Sequence, residues 1–368
     1  MPIKEIEVQR VTSLQILDEE GHVDEALEPA IDKADLLAMY RAMVWGRVTD
    51  ERMLKLQRQG RIGTFGPSTG QEAAQVGTMY WARDTDWFVG AFREHAARLL
   101  RGESLERQLL YYSGWEDGNV NEAGANARNL PVSVIVGAQP LHAVGLAYAS
   151  RLKGEEGVCA LTYMGDGATS EGDVHEALNV ASTWQLPVVF IVQNNQWAIS
   201  VPRAKQMHSR SIAQRALAYD MAGVQVDGND ILAVSVATQE ALTRAREGRG
   251  PTLIECVTYR LMMHTTADDP TKYRTKEEEE MWWRRDPLTR FSTYLMAKGY
   301  WTEAEEVSLR ENLKVKMDEA IAAFEARDDF PMDTPFDHVY GTRHALIDAQ
   351  REEFLQEQAK VAEEASHA

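Results

Sequence analysis

Two short polar segments carry the residue types that could bind a metal ion together with a phosphorylated ligand. Asp166 lies between Gly165 and Gly167, and Asn195 follows a second apolar run. A carboxylate and an amide carbonyl oxygen are hard donors suited to Mg2+, which usually keeps water and phosphate oxygens in its shell. The glycines let the backbone turn tightly and approach a ligand closely. The combination therefore indicates a magnesium site that also receives a phosphate group.

Each of these segments directly follows a predicted strand. The two apolar runs occupy residues 158–164 and 188–193, with a predicted helix at residues 172–184 between them. Ligands of open parallel sheets bind at the carboxyl ends of the strands, so both segments would face the same crevice. Taken singly, each segment is better explained as a turn that caps or links two elements. Only the pairing and its spacing favour a ligand site.

The elements that must position these segments follow an α/β pattern. From residue 132 onward, short β-branched runs alternate with helix-length amphipathic segments, which is typical of a parallel sheet built from βαβ units. Further strands are predicted at residues 223–226 and 253–259. Apolar residues at helical spacing over residues 36–56 predict one or two helices upstream. The remaining helices are predicted at residues 71–81, 94–100, 139–153, 212–222 and 231–248.

The spacing of the two polar segments resembles the thiamine diphosphate fingerprint, in which Gly-Asp-Gly is followed by a helix, a strand and then Asn. Here 26 residues, 168–193, lie between them. The wider text, residues 165–173 and 194–200, resembles the alpha subunit of the decarboxylating component of 2-oxo acid dehydrogenase complexes, over about residues 35–290. The resemblance implies the thiamine diphosphate-binding fold, a parallel sheet with helices on both faces, and the cofactors thiamine diphosphate and Mg2+.

The resemblance also implies roles for individual residues. Asp166, Asn195 and the backbone carbonyl of Trp197 correspond to the metal ligands, and His264 corresponds to the active-site histidine of a mobile loop. Phe65 corresponds to an aromatic residue that faces the substrate pocket. The residues implied to bind the cofactor are Phe92, Arg93, Val134, Val136, Gly165, Asp166, Gly167, Ala168, Asn195, Arg260 and His264.

Plainer interpretations of the same residues stay open at this point. Phe92 stands where the family usually has Tyr, and it lacks the hydroxyl that would contact the diphosphate. Without the resemblance, Arg93 and Arg260 would be interpreted as ordinary surface cations and Phe65 as a core residue. Residues 134–139 would be a short core strand. An isolated loop histidine such as His264 is more often exposed and inert.

The implied activity is decarboxylation of a small 2-oxo acid, followed by transfer of the acyl group to the lipoyl group of a dihydrolipoyl acyltransferase core. In the family, the glutamate that activates the aminopyrimidine belongs to a beta subunit, and Glu72 and Glu94 match other positions. We therefore expect an alpha2beta2 heterotetramer. Residues 58–72 and 134–139 favour pyruvate, whereas residues 264–269 are closer to branched-chain enzymes. Acetoin cleavage remains a further alternative.

Other functional classes fit the sequence less well. A P-loop, G-x-x-x-x-G-K-[ST], and a G-x-G-x-x-G after a strand are both absent from the sequence, which argues against nucleotide phosphoryl transfer and nicotinamide chemistry. A non-catalytic structural or regulatory subunit with the same fold is the alternative of another class. The intact Asp166, Asn195, Arg93 and Arg260 oppose it.

Composition sets the outer limits. The chain has 368 residues, of which 44% are hydrophobic, and a net charge of −18, so we expect a folded protein without nucleic acid or membrane partners. Cys159 and Cys256 lack CxxC spacing and are predicted to be buried thiols in a cytoplasmic protein. We predict an N-terminal arm at 1–33, a thiamine diphosphate-binding α/β domain at 34–290 and a helical C-terminal extension at 291–368.

Overall fold

A computed structural model describes residues 10–120, 128–327 and 332–366 of the chain. Its centre is a six-stranded sheet in the order β1-β7-β8-β4-β3-β2, and every neighbouring pair of strands is parallel. The predicted parallel α/β sheet is therefore confirmed. In chain order the strands are β1 (Thr12–Leu14), β2 (Trp87–Val89), β3 (Ala160–Gly165), β4 (Val188–Asn194), β5 (Trp197–Ala198), β6 (Val201–Pro202), β7 (Ala222–Asp227) and β8 (Thr252–Val257).

The strands β5 and β6 form a separate two-stranded antiparallel hairpin just after β4. Helices make up most of the rest of the described chain. They are α1 (Lys33–Arg58), α2 (Glu72–Met79), α3 (His95–Leu100), α4 (Leu105–Tyr112), α5 (Gln139–Leu152), α6 (Gly172–Thr183), α7 (Arg203–Gln206), α8 (Ile231–Arg246), α9 (Lys276–Trp283), α10 (Pro287–Ala297), α11 (Glu303–Glu325), α12 (Thr334–Asp337) and α13 (Ala345–Ser366).

Helices cover both faces of the sheet, as predicted. Successive side chains of a strand point to opposite faces, so Leu161 and Tyr163 of β3 pack in one core with α1, α2, α8 and α10. Ala160 and Met164 of the same strand pack on the other face with α5 and α6. The sheet is thus buried on both sides, which explains why its strands are continuous apolar runs.

The helix α1 is one continuous helix of 26 residues. Its apolar stripe is buried in the core, and its polar Arg47 is buried as well. The Arg47 Nε atom donates to Glu72 at 2.5 Å, and the Nη2 atom donates to Asp286 at 2.7 Å. This ion network joins α1 to the start of α2 and to the residue that caps α10.

Three of the sequence-based expectations need correction. Residues 1–33 were expected to lie outside the core, but Thr12–Leu14 pairs with β7 and Leu17 is fully buried in the main core. The start of this segment, residues 1–9, lies outside the described residues. The helix expected at 212–222 is a short 3₁₀ helix, Ala213–Tyr219, followed at once by β7. Residues 134–139, which without the resemblance would be a short core strand, form a bend that leads into α5 at Gln139; Val134, Ile135 and Val136 are exposed, and no strand of the described chain pairs with them.

The carboxyl-terminal part is helical in the described residues, as expected. The predicted boundary at residue 290 falls inside α10, whose Phe291 and Leu295 are buried in the main core. The following helix α11 packs against α1 and α4. Cys159 and Cys256 are buried free thiols, as predicted. Within the described ranges, no helix is both long enough and apolar enough to span a membrane.

Candidate active site

A cavity of about 500 Å³ lies at the carboxyl ends of β2, β3 and β4. This volume is within the range of small-molecule and cofactor sites. Most of the residues predicted to bind the cofactor line it, although they come from separate parts of the sequence. The lining residues are Gln71, Ala91, Phe92, Arg93, Glu94, Val134, Val136, Gly165, Asp166, Gly167, Ala168, Glu171, Gln193, Asn195, Trp197, Ala198, Ile199, His264 and Thr265.

The carboxylate of Asp166 lies at the turn that follows β3. The side chain is only 1% exposed, and burial raises its pKa. One oxygen, Oδ2, accepts a hydrogen bond from Gln206 at 2.8 Å. The other oxygen, Oδ1, is buried and has no hydrogen-bond partner in the part of the chain that the structure describes. A buried oxygen of this kind is costly unless something else satisfies it, so Asp166 is prepared for a further ligand.

Asn195 and Trp197 lie at the end of β4 and at the start of the β5–β6 hairpin. The Asn195 Nδ2 atom donates to Gln71 at 3.2 Å, and Asn195 Oδ1 accepts from the Trp197 backbone N–H at 3.2 Å. The Trp197 carbonyl accepts from Arg260 Nη1 at 3.3 Å. Asn195 Oδ1 and the Trp197 carbonyl oxygen each have a second lone pair. Both therefore retain the capacity to bind a cation.

The two predicted phosphate-binding arginines are buried rather than on the surface. Arg93 is 6% exposed and Arg260 is 0% exposed. Among the described residues, no carboxylate lies within ion-pair distance of either guanidinium. Burial, and then the neighbouring charge of Arg260, lower the pKa of Arg93 to about 10. Two buried cations that lie close together without a carboxylate in direct contact favour the binding of an anion.

These features fit a divalent ion with a diphosphate. The cavity is lined by the Asp166 oxygen that has no hydrogen-bond partner among the described residues and by the buried guanidinium of Arg93, with the Arg260 guanidinium behind its wall. The Nη1 atom of Arg93 still has a second N–H, since it donates to the Pro67 carbonyl at 2.7 Å, whereas both N–H groups of Nη2 face His264, its carbonyl at 2.9 Å and its Nδ1 atom at 3.2 Å. The planar fork of arginine is well suited to phosphate oxygens.

His264 lies between the two guanidinium groups. Its Nδ1 atom is 3.2 Å from Arg93 Nη2 and 3.5 Å from Arg260 Nη1. Arginine can only donate, so Nδ1 accepts and the proton of the neutral ring is on Nε2. Burial, then Arg93 and Arg260, lower the pKa of His264 to about 4. The ring is therefore neutral near pH 7.

The loop that carries His264 is tied to the sheet by polar contacts. The backbone N–H of His264 donates to Asp268 Oδ2 at 2.8 Å, and the Tyr273 hydroxyl donates to the same oxygen. Arg260 Nη2 donates to that hydroxyl at 2.9 Å. The loop also pairs with the Phe65 backbone, because the Thr266 N–H donates to its carbonyl at 3.0 Å. These contacts determine where the imidazole lies.

A second buried network connects the two sides of the cavity. Gln193 Nε2 donates to Glu94 Oε1 at 2.6 Å, and Gln75 Nε2 donates both to Gln193 Oε1 at 3.1 Å and to the Arg93 carbonyl at 3.0 Å. Nearby, burial lowers the pKa of His95 to about 4, and its Nε2 atom is 3.1 Å from the Gly66 carbonyl. The Arg93 segment and the end of β4 are therefore held in one arrangement.

Two predicted site residues are placed differently from the others. The Phe65 ring is 2% exposed and packs against His95 and Tyr112, with centroid distances of 6.0 and 5.7 Å. The prediction that it faces the substrate pocket is therefore corrected, because the ring points into the core beneath the cavity. Arg260 lies behind the wall and reaches the site through His264 and the Trp197 carbonyl.

The sequence interpretation also missed several residues of the site. Glu94, Gln193 and Ile199 line the cavity, and Gln206 contacts Asp166 from beside it. Gln193 had a usable signal, since it ends the predicted strand directly before the Asn-Asn pair. Gln206 had none, because it lies 40 positions from Asp166 outside any motif.

Comparison with known proteins decides the family. The family model described as "Dehydrogenase E1 component" matches residues 40–332. The chain belongs to this family. Membership in the dehydrogenase E1 component family confirms the predicted relationship and the prediction of an enzyme. It also implies thiamine diphosphate as the cofactor, which agrees with the cavity described above.

Individual relatives match nearly the whole chain. A pyruvate dehydrogenase E1 component subunit alpha from Acholeplasma laidlawii is 43% identical over 91% of this chain and 97% of its own length. A 3-methyl-2-oxobutanoate dehydrogenase subunit alpha from Mycobacterium tuberculosis is 45% identical over 88% of this chain and 87% of its own. A pyruvate dehydrogenase E1 component subunit alpha from Staphylococcus aureus is 43% identical over 84% of this chain and 83% of its own.

Proposed function

We propose that the chain is the alpha subunit of a pyruvate dehydrogenase that decarboxylates pyruvate on thiamine diphosphate and passes the acetyl group to a lipoyl group of a dihydrolipoyl acyltransferase core. The observation that carries the proposal is the cavity, which is lined by a buried carboxylate oxygen without a hydrogen-bond partner among the described residues and by the buried guanidinium of Arg93, with Arg260 behind its wall. A magnesium diphosphate unit supplies the charges that this arrangement lacks. The relatives that match most of the chain have the corresponding names.

We assign the magnesium ion to Asp166 Oδ1, Asn195 Oδ1 and the Trp197 carbonyl. The remaining positions of its octahedral shell would be filled by diphosphate oxygens and water. Arg93 would bind the diphosphate directly, whereas Arg260, whose Nη atoms donate to the Trp197 and Ile199 carbonyls, would contribute its charge from behind the wall. Phe92 packs beside Arg93, with its ring centroid 5.2 Å from the guanidinium carbon. Because Phe92 has no hydroxyl, its contribution is packing rather than a hydrogen bond.

The remaining lining residues hold and orient the cofactor. Gly165, Gly167 and Ala168 line the cavity and would let the main chain approach the diphosphate, and the backbone around Val134 and Val136 would hold the aminopyrimidine. When bound, thiamine diphosphate supplies the carbanion chemistry and the electron sink that decarboxylation needs. The chain supplies orientation, charge compensation and a proton donor.

That donor is His264. Its Nδ1 atom is occupied by arginine N–H groups, so only the Nε2 proton is available to a substrate. The low pKa keeps the ring neutral at pH 7 in the cofactor-free chain. A bound diphosphate would offset the arginine charges and move this pKa upward, toward the range useful for general acid–base catalysis.

The site requires a second subunit. The rim formed by Val134, Ile135 and Val136 is apolar and more than half exposed. A surface of this kind next to a cofactor cavity is typical of a protein interface. We propose that a beta subunit covers it, excludes water and contributes the glutamate that activates the aminopyrimidine, within an alpha2beta2 heterotetramer.

Calorimetry tests the cofactor assignment. Thiamine diphosphate and Mg2+ are titrated into the co-purified alpha and beta complex and into the same complex with Asp166→Ala. We expect thiamine diphosphate to bind the parent complex tightly in the presence of Mg2+. In the Asp166→Ala complex, we expect Mg2+ to have no effect on thiamine diphosphate binding. Equal affinity in both would refute the metal assignment. Decarboxylation by the alpha chain purified alone would refute the division of the site between two subunits.

A branched-chain 2-oxo acid is the second candidate substrate, because a relative named for 3-methyl-2-oxobutanoate is 45% identical to this chain. One methylene group changes discrimination by only about 1 to 3 kcal/mol. The test is kcat/KM of the reconstituted complex for pyruvate and for 3-methyl-2-oxobutanoate, with acetoin as a third compound. A higher value for the branched substrate would overturn the pyruvate proposal and leave the cofactor assignment intact.

A further inference from the structure

Among the described residues, Gln206 is the only one whose side chain donates a hydrogen bond to the Asp166 carboxylate. Its Nε2 atom donates to Asp166 Oδ2 at 2.8 Å. The same nitrogen donates to the Val201 carbonyl at 3.1 Å. Both hydrogens of the amide group are therefore in use, and both partners are obligate acceptors.

These partners determine which way the amide points. If the group were flipped, Gln206 Oε1 would face the Asp166 carboxylate and the Val201 carbonyl, which are both acceptors. The nitrogen must therefore face Asp166. This bond occupies Oδ2 and leaves Oδ1 as the buried oxygen without a partner. Asp166 is thereby held ready to offer one defined oxygen.

The segment that carries Gln206 is itself firmly placed over the Gly165–Gly167 turn. A Cβ atom on Gly167 would lie 2.7 Å from the Ala198 Cβ atom and 3.7 Å from Gln206 Oε1. Arg203 fixes the short helix α7, since its backbone N–H donates to the Gln196 carbonyl at 2.8 Å and its guanidinium donates to the Ser209 carbonyl at 2.7 Å. The glycine thus allows the approach that brings the Gln206 amide to Asp166.

We propose that Gln206 is a positioning residue for the metal site: its amide turns the Asp166 carboxylate so that Oδ1 alone faces the divalent ion. The inference rests on the proposed function, because it requires Asp166 to bind the metal. Outer groups that orient a ligating carboxylate typically contribute about 10- to 100-fold in metal affinity. Gln206 has no assigned contact with the diphosphate, so its loss should weaken metal binding selectively.

The test uses the co-purified alpha and beta complex with thiamine diphosphate at saturating concentration. Mn2+ is titrated as the probe metal and followed by electron paramagnetic resonance. Gln206→Met keeps the length of the side chain and removes the donor, and Gln206→Leu is a second variant without it. Lys205→Leu is the matched control, because Lys205 is an exposed neighbour on the same helix. Asp166→Asn is the reference for loss of the ligand itself.

We expect the Mn2+ Kd to rise by about 10- to 100-fold in both Gln206 variants and to stay unchanged in the Lys205 control. At saturating metal, the Kd for thiamine diphosphate should stay within about threefold, since an orienting role concerns the metal. A metal Kd equal to that of the parent in both variants, with binding lost in Asp166→Asn, would overturn this inference and leave the proposed function standing.

Two further results would also count against it. Unchanged metal binding in Asp166→Asn would defeat the metal assignment and this inference together. If both Gln206 variants lowered the melting temperature of the metal-free complex and weakened the two ligands equally, the role of Gln206 would be structural, and the inference would be wrong.

Discussion

Replacing Arg93 with Met should separate cofactor binding from stability. The guanidinium is almost fully buried beside Arg260, and its pKa falls from the usual 12.5 to about 10. At about 1.4 kcal/mol per pKa unit, the buried charge costs the cofactor-free protein about 3 kcal/mol at all pH values below about 10. Removing the charge recovers that amount. It also leaves the Pro67 and His264 carbonyls without a donor, at about 1 to 3 kcal/mol each.

The two effects oppose each other, so the free energy of unfolding of the cofactor-free complex should change by less than about 3 kcal/mol. Affinity for thiamine diphosphate should fall clearly. Two charge-assisted hydrogen bonds to phosphate are together worth about 3 kcal/mol or more, which corresponds to about 100-fold in Kd. Calorimetry and urea denaturation of the same preparations measure the two quantities.

Arg98→Met is the matched control. Arg98 is as deeply buried as Arg93, but its Nη1 atom pairs with Glu103 at 3.2 Å. Its removal leaves a buried carboxylate alone and should cost about 3 to 5 kcal/mol of stability without changing cofactor affinity. If Arg93→Met bound thiamine diphosphate as tightly as the parent, or lost as much stability as Arg98→Met, the assignment of Arg93 as an uncompensated phosphate ligand would be wrong.

Three other substitutions test the packing around the site. The pKa of His95 is about 4 in the folded chain against an ordinary 6.5, so the unfolded chain takes up the proton first as pH falls. The free energy of unfolding should therefore fall by up to about 3 kcal/mol between about pH 6.5 and pH 4. In urea denaturation over that range, the stability of His95→Gln should depend less on pH, and the same pH dependence as the parent would contradict the burial argument. Arg47→Met leaves two buried carboxylates unpaired and should lower the free energy of unfolding by about 3 to 5 kcal/mol. Arg52→Met removes a partly exposed ion pair and should lower it by under about 1 kcal/mol. Equal losses of stability in urea denaturation would contradict this difference. Gly167→Ala places a Cβ atom 2.7 Å from the Ala198 Cβ atom and should weaken metal binding. The added Cβ atom of Gly172→Ala meets open space, so this variant should bind the metal as the parent does. Equal Mg2+ affinities of the two variants in calorimetry would contradict the need for a glycine at position 167.

Much of the fold follows from local sequence. The β3, β4, β7 and β8 strands were predicted to within one or two residues, because strands buried on both faces are unbroken apolar runs. The prediction failed where neighbours decide the conformation. Residues 134–136 are all β-branched, a composition typical of strands, but no strand of the described chain pairs with them. Conversely, Thr12–Leu14 has weak local signals and becomes a strand because β7 has a free edge.

The sequence by itself determined which residues stand at the ends of the central strands. A motif that directly follows an apolar run in a parallel sheet must lie at the ligand-binding edge, so Asp166 and Asn195 needed no long-range information. Tertiary structure alone decided that Arg93 and Arg260 are buried with no carboxylate of the described residues in ion-pair contact, that Phe65 points into the core, and that Gln206 reaches Asp166. Burial and hydrogen-bond partners depend on chain segments that are distant in sequence, and no local pattern of residue types encodes which of them will meet.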